Sequence, residues 1–334
     1  ENGKIREEKM HQLNYSYDER YLITFTGRRD GYSGFGSETK WGIFPSLALG
    51  WNLANEGFFP YQNLINNLKL RASYGNNGNQ AIGAYETIAR LGGEYWNYLN
   101  EDQTAPGYFP VQLGMDDLGW ESTTTLNIGL DFGILDNRIA GDVNYYIANT
   151  TDLLLSRSIS AVHGETSITQ NIGETRNTGI ELSINSKNIS TTDFVWSTRG
   201  NFSYIKNEIV SLYGILDEEG KEIDDVANEW FIGEPIRVNY NHVNDGVWQL
   251  DEADEAALYN SQPGFIKIKD FDEDTNITAD DRRIQGQRDP KFTWGMTNTF
   301  SYKGFALSVF VHGVHGVTKN NNLKQDNVWG EVKR

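Results

Sequence analysis

The feature that most constrains this sequence is a strict alternation of apolar and polar residues that recurs along most of its length. In TLNIGLDFGI, Leu126, Ile128, Leu130, Phe132 and Ile134 alternate with Asn127, Gly129, Asp131 and Gly133. In the following IAGDVNYYIA, Ile139, Gly141, Val143, Tyr145 and Ile147 alternate with Ala140, Asp142, Asn144, Tyr146 and Ala148. The intervening Asp136-Asn137 are turn-forming residues, so the two segments read as a hairpin. Successive side chains of a strand point to opposite sides, so each segment presents one apolar and one polar face. Helical periodicity is scarce.

The pattern repeats. Tyr21, Ile23 and Phe25 share a face, as do Leu68, Leu70, Ala72 and Tyr74 opposite Lys69, Arg71 and Ser73. GIELSIN leads through NISTTD into FVWSTRGNFSYI, and FTWGMTNTFSY turns at Lys303-Gly304 into FALSVFVHG. This gives about ten strands of roughly 8 to 13 residues, many beyond the usual strand of about 5 to 6. Their connections are lopsided: tight near residues 18–19, 135–138, 187–193 and 302–304, and long over 76–122, 150–176 and 206–290. Short turns at one end and long loops at the other organise an outer-membrane barrel. A β-sandwich also alternates, but its apolar face packs inward and its connections are less regular. Strand length, loop asymmetry and aromatic placement favour the barrel.

Composition agrees. Hydrophobic residues make up 38% of the 334, aromatics 13%, with 34 glycines, which suits strands that spend half their positions on apolar contact. A net charge of -17 argues against nucleic acid as a partner, since phosphate binding needs a basic footprint. The absence of cysteine excludes disulfides and thiolate metal sites. No apolar run reaches about eighteen residues, so no transmembrane helix is expected. The start, ENGKIREEKM, lacks the apolar core of a signal peptide.

Several stretches, in order, resemble the SusC/RagA-like TonB-dependent outer-membrane transporters of Bacteroidetes. They are RYLITFTGRRDGYSGFG with WGIFPSLALGW, LKLRASYGNNGNQAIGAY, LGWESTTTLNIGLDFGILDNRIAGDVNYYIANTTDLLL, NIGETRNTGIELSIN, FVWSTRGNFSYIKNEIVSL, FIGEPIRVNYNHVNDGVWQ, KDFDEDTNITADDRRIQG and FTWGMTNTFSYKGFALSVFVHGVHG. The resemblance covers nearly the whole chain. It implies an all-β fold: an antiparallel transmembrane β-barrel portion of about ten long strands within a plugged barrel of about 22. Residues 1–334 are then part of one barrel domain, with no plug, TonB box or final strands expected in this chain. Ten strands alone would leave two open edges, which a bilayer does not tolerate.

Within that frame WGIFPSLALGW reads as a membrane ruler. Trp41 and Trp51 point the same way, roughly 33 Å apart along a strand, or about 25 Å along a barrel axis at a tilt near 40°, close to the lipid-facing band. Ile43, Leu47 and Leu49 would face acyl chains, with a tryptophan at each interface. Pro45 removes a ladder donor in mid-strand, so a bulge or local break is expected there.

The strongest polar constellation is KDFDEDTNITADD. Asp270, Asp272, Asp274, Asn276, Thr278 and Asp281 follow EF-hand loop spacing at positions 1, 3, 5, 7, 9 and 12, which suits Ca²⁺, with Asn276 offering its backbone carbonyl. Thr275 replaces the glycine of position 6, Asp281 is shorter than the usual glutamate, and no helices flank the loop. The alternative is a solvated acidic loop. No other cofactor is expected. The runs LDEEGKEIDD (216–225) and DEADE (251–255) read as solvated charge on a long loop. Arg28-Arg29 before Asp30 reads as a salt bridge around a turn, against a contact with ligand or lipopolysaccharide. His312 and His315, three apart, fall on opposite strand faces, so neither zinc nor a catalytic triad is inferred. Tyr95, Trp96, Tyr98, Trp230 and Phe231 in long loops are read as loop packing, with sugar stacking as the alternative.

The function expected from the resemblance is import of oligosaccharides or peptides, without enzymatic chemistry. The partners it implies are a SusD-like surface lipoprotein, TonB acting through an N-terminal region, and outer-membrane lipid. The alternatives are a barrel that scaffolds an outer-membrane assembly, and a secreted carbohydrate-active β-protein with paired carboxylates.

Overall fold

A computed structural model describes residues 5–83, 86–97 and 104–319. Strand β1 (Arg6–Tyr17) turns through 18–20 into β2 (Tyr21–Tyr32). Residues 33–40 lead to β3 (Trp41–Asn52), and 53–64 to β4 (Ile65–Asn79). A small hairpin, β5 (Arg90–Asn97) with β6 (Thr104–Gln112), precedes β7 (Glu121–Ile134) and β8 (Ile139–Thr151). Another, β9 (Leu154–Ser158) with β10 (Ser167–Asn171), precedes β11 (Glu174–Ser190) and β12 (Phe194–Ser211). The longest excursion holds β13 (Val238–His242), β14 (Asn244–Val247), a short helix α1 (Ala253–Leu258), β15 (Ile266–Ile268) and β16 (Arg282–Gln287). The chain then returns as β17 (Phe292–Tyr302) and β18 (Phe305–His315).

Ten of these strands form one antiparallel sheet in the order β1-β2-β3-β4-β7-β8-β11-β12-β17-β18, so neighbours in sequence are neighbours in space. The remaining strands make two-stranded ribbons, all inserted at one end of the sheet. At the other end the turns are short. Asp18 and Glu19 (φ 52° and 51°) and Lys303 and Gly304 (φ 45° and 89°) both have the positive φ pairs of two-residue hairpin turns matched to strand twist. The 191–193 turn is tighter than the sequence implied. β11 runs on to Ser190, and the Thr191 hydroxyl accepts from the Phe194 N–H at 3.0 Å. One connection at this end, residues 53–64, is not tight.

Register turns the alternation into a surface. Tyr15, Ile23, Leu49, Ala72, Ile128, Tyr145, Ile180, Tyr204 and Phe292 are successive cross-strand partners, an apolar row crossing nine strands. The adjacent row contains Arg71, Gly129, Asn144, Glu181, Ser203 and Thr293. Because the side-chain period is two, a slip of one residue would exchange the faces, so register is strongly specified. Among the described residues nothing covers the apolar face: Ile43 is 71% exposed and Phe305 81%. The buried cluster lies under the long loops instead, where Tyr32, Phe35, Ile82 and Leu118 pack with Met115, Trp120 and Leu154.

Pro45 produces a break and no bulge. The β2–β3 ladder runs through Gly27 opposite Pro45 without a shift. The β3–β4 pairing ends one residue away, at Ser46 opposite Gly75. In the gap beyond it the ring of Phe44 turns inward and is buried, 5.6 Å from Trp120 between ring centroids.

Candidate functional site

The two tryptophans of β3 are each held by a polar partner. At the short-turn end, Trp51 Nε1 donates to Glu56 Oε1 at 2.9 Å, and the Tyr21 hydroxyl donates to the same oxygen at 2.6 Å. Arg20 reaches the other oxygen at 3.3 Å. Tyr21 and Trp51 rings stack at 6.5 Å. Glu56 is buried, and the bonds from Tyr21, Trp51 and Arg20 hold its carboxyl below the ordinary value. At the long-loop end, the Arg29 guanidinium lies 4.1 Å from the centre of the Trp41 ring. An amphipathic ring with an apolar body and a polar anchor is the chemistry of a membrane interface.

Arg28 and Arg29 take opposite faces. Arg28 faces inward, 2.9 Å from Asp30, with its guanidinium over Phe44. The salt bridge expected at a turn thus lies within strand β2, and Arg29 takes no part in it.

The polar face carries a connected network. Arg71 donates to Asp131 through both Nε (3.0 Å) and Nη2 (2.7 Å), and Nη2 also reaches Asn144 at 3.1 Å. Asn144 in turn donates to Asp142 at 2.8 Å. Asp131 and Asp142 are direct cross-strand partners, a like-charge pair that Arg71 and Asn144 offset. Thr123 and Thr150 bond at 2.9 Å farther along the same hairpin.

The acidic loop lies between β15 and β16. The carboxylate oxygens of Asp270, Asp272 and Asp274 lie within 4.8 Å of one another. Asp270 accepts from the Glu273 and Thr275 N–H groups at 2.7 and 2.9 Å, and Asp274 accepts from the Asn276 N–H at 2.6 Å. Asp281 lies apart from this trio: it is fully buried and its oxygens accept from Phe271 N–H and Thr278 N–H, both at 2.8 Å. Thr278 caps the short 3₁₀ turn Ala279–Asp281, and its carbonyl meets His242 Nε2 at 2.6 Å. Thr275 stands at φ 68°, the left-handed conformation a glycine at position 6 would supply. Burial pushes the Asp270 carboxyl up, but hydrogen bonds from the Thr275 and Glu273 N–H groups, together with those from Asp272 and Tyr259, hold it below its ordinary value. Burial and the neighbouring Asp270 push Asp272 up.

The other acidic runs are more than solvated charge. Glu222 accepts from Leu212 N–H and Gly214 N–H, both at 2.7 Å. Asp225 accepts from the Tyr213 hydroxyl at 2.6 Å, and burial together with that bond pushes the Tyr213 phenol up to about 12. Glu252 closes a capping box with Gln249 and pairs with Lys267 at 2.9 Å, whose ammonium sits 4.2 Å from the Trp248 ring centre. Sequence reasoning missed these roles because their backbone partners are set by loop shape. Phe231 packs on Tyr240 at 4.8 Å, which accords with the packing reading. Tyr98 and the side chains of Tyr95 and Trp96 lie outside the described residues. His315 lies beside Phe292 and His312 pairs with Gly295, on opposite faces of β18 as expected.

Residues 12–312 match the family described as TonB dependent receptor-like, beta-barrel. The chain belongs to the TonB-dependent receptor β-barrel family. It is 38% identical over 310 residues to TonB-dependent receptor P3 of Formosa agariphila, covering 90% of this chain and 30% of that protein. It is 35% identical over 301 residues to TonB-dependent receptor SusC of Bacteroides thetaiotaomicron, covering 89% and 30%. The structure of the RagAB peptide importer in its open-open state superimposes with a TM-score of 0.77 at 26% identity, covering 94% of this chain and 33% of that one. The chain thus spans about a third of the relatives it matches. It is a SusC/RagA-like portion of a TonB-dependent receptor β-barrel of the outer membrane, and its relatives are receptors and transporters rather than enzymes. The apolar face is the lipid face, the polar face lines the lumen, and the long loops mark the outer side.

Proposed function

We propose that this chain supplies wall and external loops to a TonB-dependent importer of oligosaccharides or peptides that works with a SusD-like surface lipoprotein. Residues 1–334 form part of one barrel domain in this reading, and a plug and TonB-contacting segment belong to other parts of the protein. The observation that carries it is the pairing of a lipid-facing apolar surface with long loops gathered at one end, in a chain similar to both SusC and the RagAB peptide importer. The lumen face offers binding and orientation through groups such as Arg71, Asp131 and Asn144, and covalent chemistry is no part of the role. The loops supply a rim on which a lipoprotein lid docks.

The test uses the full-length protein in its own membrane. Uptake of labelled oligosaccharide or peptide pools is compared in wild-type, receptor-deleted and TonB-deleted cells, with affinity capture of associated lipoproteins. Uptake lost in both deletions and a captured SusD-like partner support the proposal. Capture of an assembly with uptake unchanged favours the scaffold reading. A protein that stays monomeric in buffer without detergent sinks both and returns a secreted β-protein.

We also propose that Asp270, Asp272 and Asp274, with the Asn276 backbone carbonyl, hold Ca²⁺ and fix the fold of this loop. A hard cation prefers such clustered oxygens. Thr278 and Asp281 brace the loop from outside that set. The ion would supply cross-linking charge to the outer rim and no catalysis.

A further inference from the structure

We propose that the lipid face of β1 and β2 carries a binding site for the phosphate group of an outer-leaflet lipid, formed by Lys9 and Arg29, with Trp41 on its loop side and His11 one row toward the membrane centre. The register places Lys9 directly opposite Arg29, on the same face as the pairs Leu13–Phe25 and Tyr15–Ile23. Like charges directly opposite each other weaken a strand pair. An anion lying between them reverses the sign of that contribution. The next row toward the membrane centre holds His11 opposite Gly27, and Gly27 opposite Pro45. A side chain at Gly27 would meet only the edge of Phe25, at 3.9 Å, so a notch opens below the two cations.

Depth selects a lipid. Arg29 is opposite Ile43, two residues along β3 from Trp41. Two residues span about 6.6 Å of strand, so the cations sit roughly 5 Å deeper than Trp41 in a barrel tilted near 40°. The Arg29 guanidinium rises to the Trp41 ring, 4.1 Å from its centre, as a long cationic side chain does when it reaches from an apolar surface to the headgroups. Trp41 lies at the long-loop end, so the headgroups are those of the outer leaflet.

Charge selects an anion. The chain carries a net -17, yet this patch is basic. Lys9 pairs with Glu7 at 2.8 Å, one row nearer the loops, while Arg29 has no ion pair among the described residues. Phosphate matches the planar fork of Arg29 and the point charge of Lys9. Glu7 lies on the loop side of Lys9, so a headgroup phosphate shares the Lys9 ammonium with that carboxylate and takes its second contact from Arg29.

The test takes the full-length protein in dodecyl maltoside and titrates it with phosphatidic acid, with diacylglycerol, and with inorganic phosphate. Bound lipid is counted by native mass spectrometry and the unfolding midpoint is followed. The expected result is saturable binding of phosphatidic acid alone. Binding weakens about tenfold or more in Lys9→Gln/Arg29→Gln and is retained in Arg199→Ala, a charge removed from the lumen face. The single variants Lys9→Gln and Arg29→Gln are measured as well, so a double variant that fails to fold leaves the comparison intact. Equal lipid binding by folded variants overturns the site. Inorganic phosphate binding as well as phosphatidic acid overturns the lipid assignment, and equal binding of diacylglycerol overturns the role of phosphate.

Discussion

The Trp51 indole donates to the Glu56 carboxylate at 2.9 Å, which ties the last lipid-facing residue of β3 to the loop that follows it. Trp51→Phe keeps an aromatic ring and removes the bond, and should cost about 1.5–3 kcal/mol, as expected for a hydrogen bond to a charged group. Heat-modifiability of the folded barrel on gels measures it.

The same carboxylate predicts a pH dependence. Glu56 sits below its ordinary value of 4.5 because Tyr21, Trp51 and Arg20 favour the ionised form. Its contribution is therefore complete above that value and is lost as pH falls through the lower folded one. Glu56→Gln should be less stable than wild type at neutral pH, and the gap should close on acidification. Thermal unfolding in detergent across that range checks the sign, and a gap that widens in acid would refute it.

Phe44 occupies the opening left where β3 and β4 stop pairing, and two glycines make room for it. A Cβ at Gly78 would lie 2.0 Å from the ring and one at Gly42 2.4 Å. Gly78→Val should evict Phe44 and cost about 1–3 kcal/mol through overpacking. Phe44→Ala should cost about 3–5 kcal/mol. A Gly78→Val, Phe44→Ala double variant should cost less than the sum, since the collision is then gone.

Arg71 bridges Asp131 and Asn144 on the lumen face. Arg71→Ala removes the cation bonded to Asp131 and leaves Lys69, opposite Asp131 across β4 and β7, as the cation beside the Asp131–Asp142 pair; it should destabilise by about 1–2 kcal/mol in this half-solvated setting. Arg71→Lys keeps the charge but loses the two-pronged contact, and should recover only part of that loss. Denaturant unfolding of the three proteins orders them.

In the acidic loop, Thr275→Gly should relieve a left-handed β-branched residue worth about 1 kcal/mol locally, seen as slower proteolysis between residues 270 and 281. If the loop holds Ca²⁺, affinity in the Gly variant should rise. Affinity should fall on acidification through the raised value of Asp272, because a ligand must be deprotonated to bind. Calorimetry at two pH values reads both, and Asp272→Ala should abolish the heat.

The sequence by itself determined the two faces, the long strands and the uneven ends, because a period of two is a local property of the backbone. Residues 126–134 and 139–147 needed no neighbour to declare which side chains share the apolar face. It also marked Pro45 as the weak point of β3. Tertiary structure decided what happens there: β2 keeps its register with Pro45, β4 departs, and Phe44 fills the gap. It decided that adjacent Arg28 and Arg29 serve opposite faces, one paired with Asp30 and one laid on Trp41. It also sent Asp281 to cap its own loop, away from the Asp270, Asp272 and Asp274 carboxylates. A face follows from alternation along one strand. A partner follows from register across strands and from loop closure, which bring together residues that spacing along the chain leaves apart.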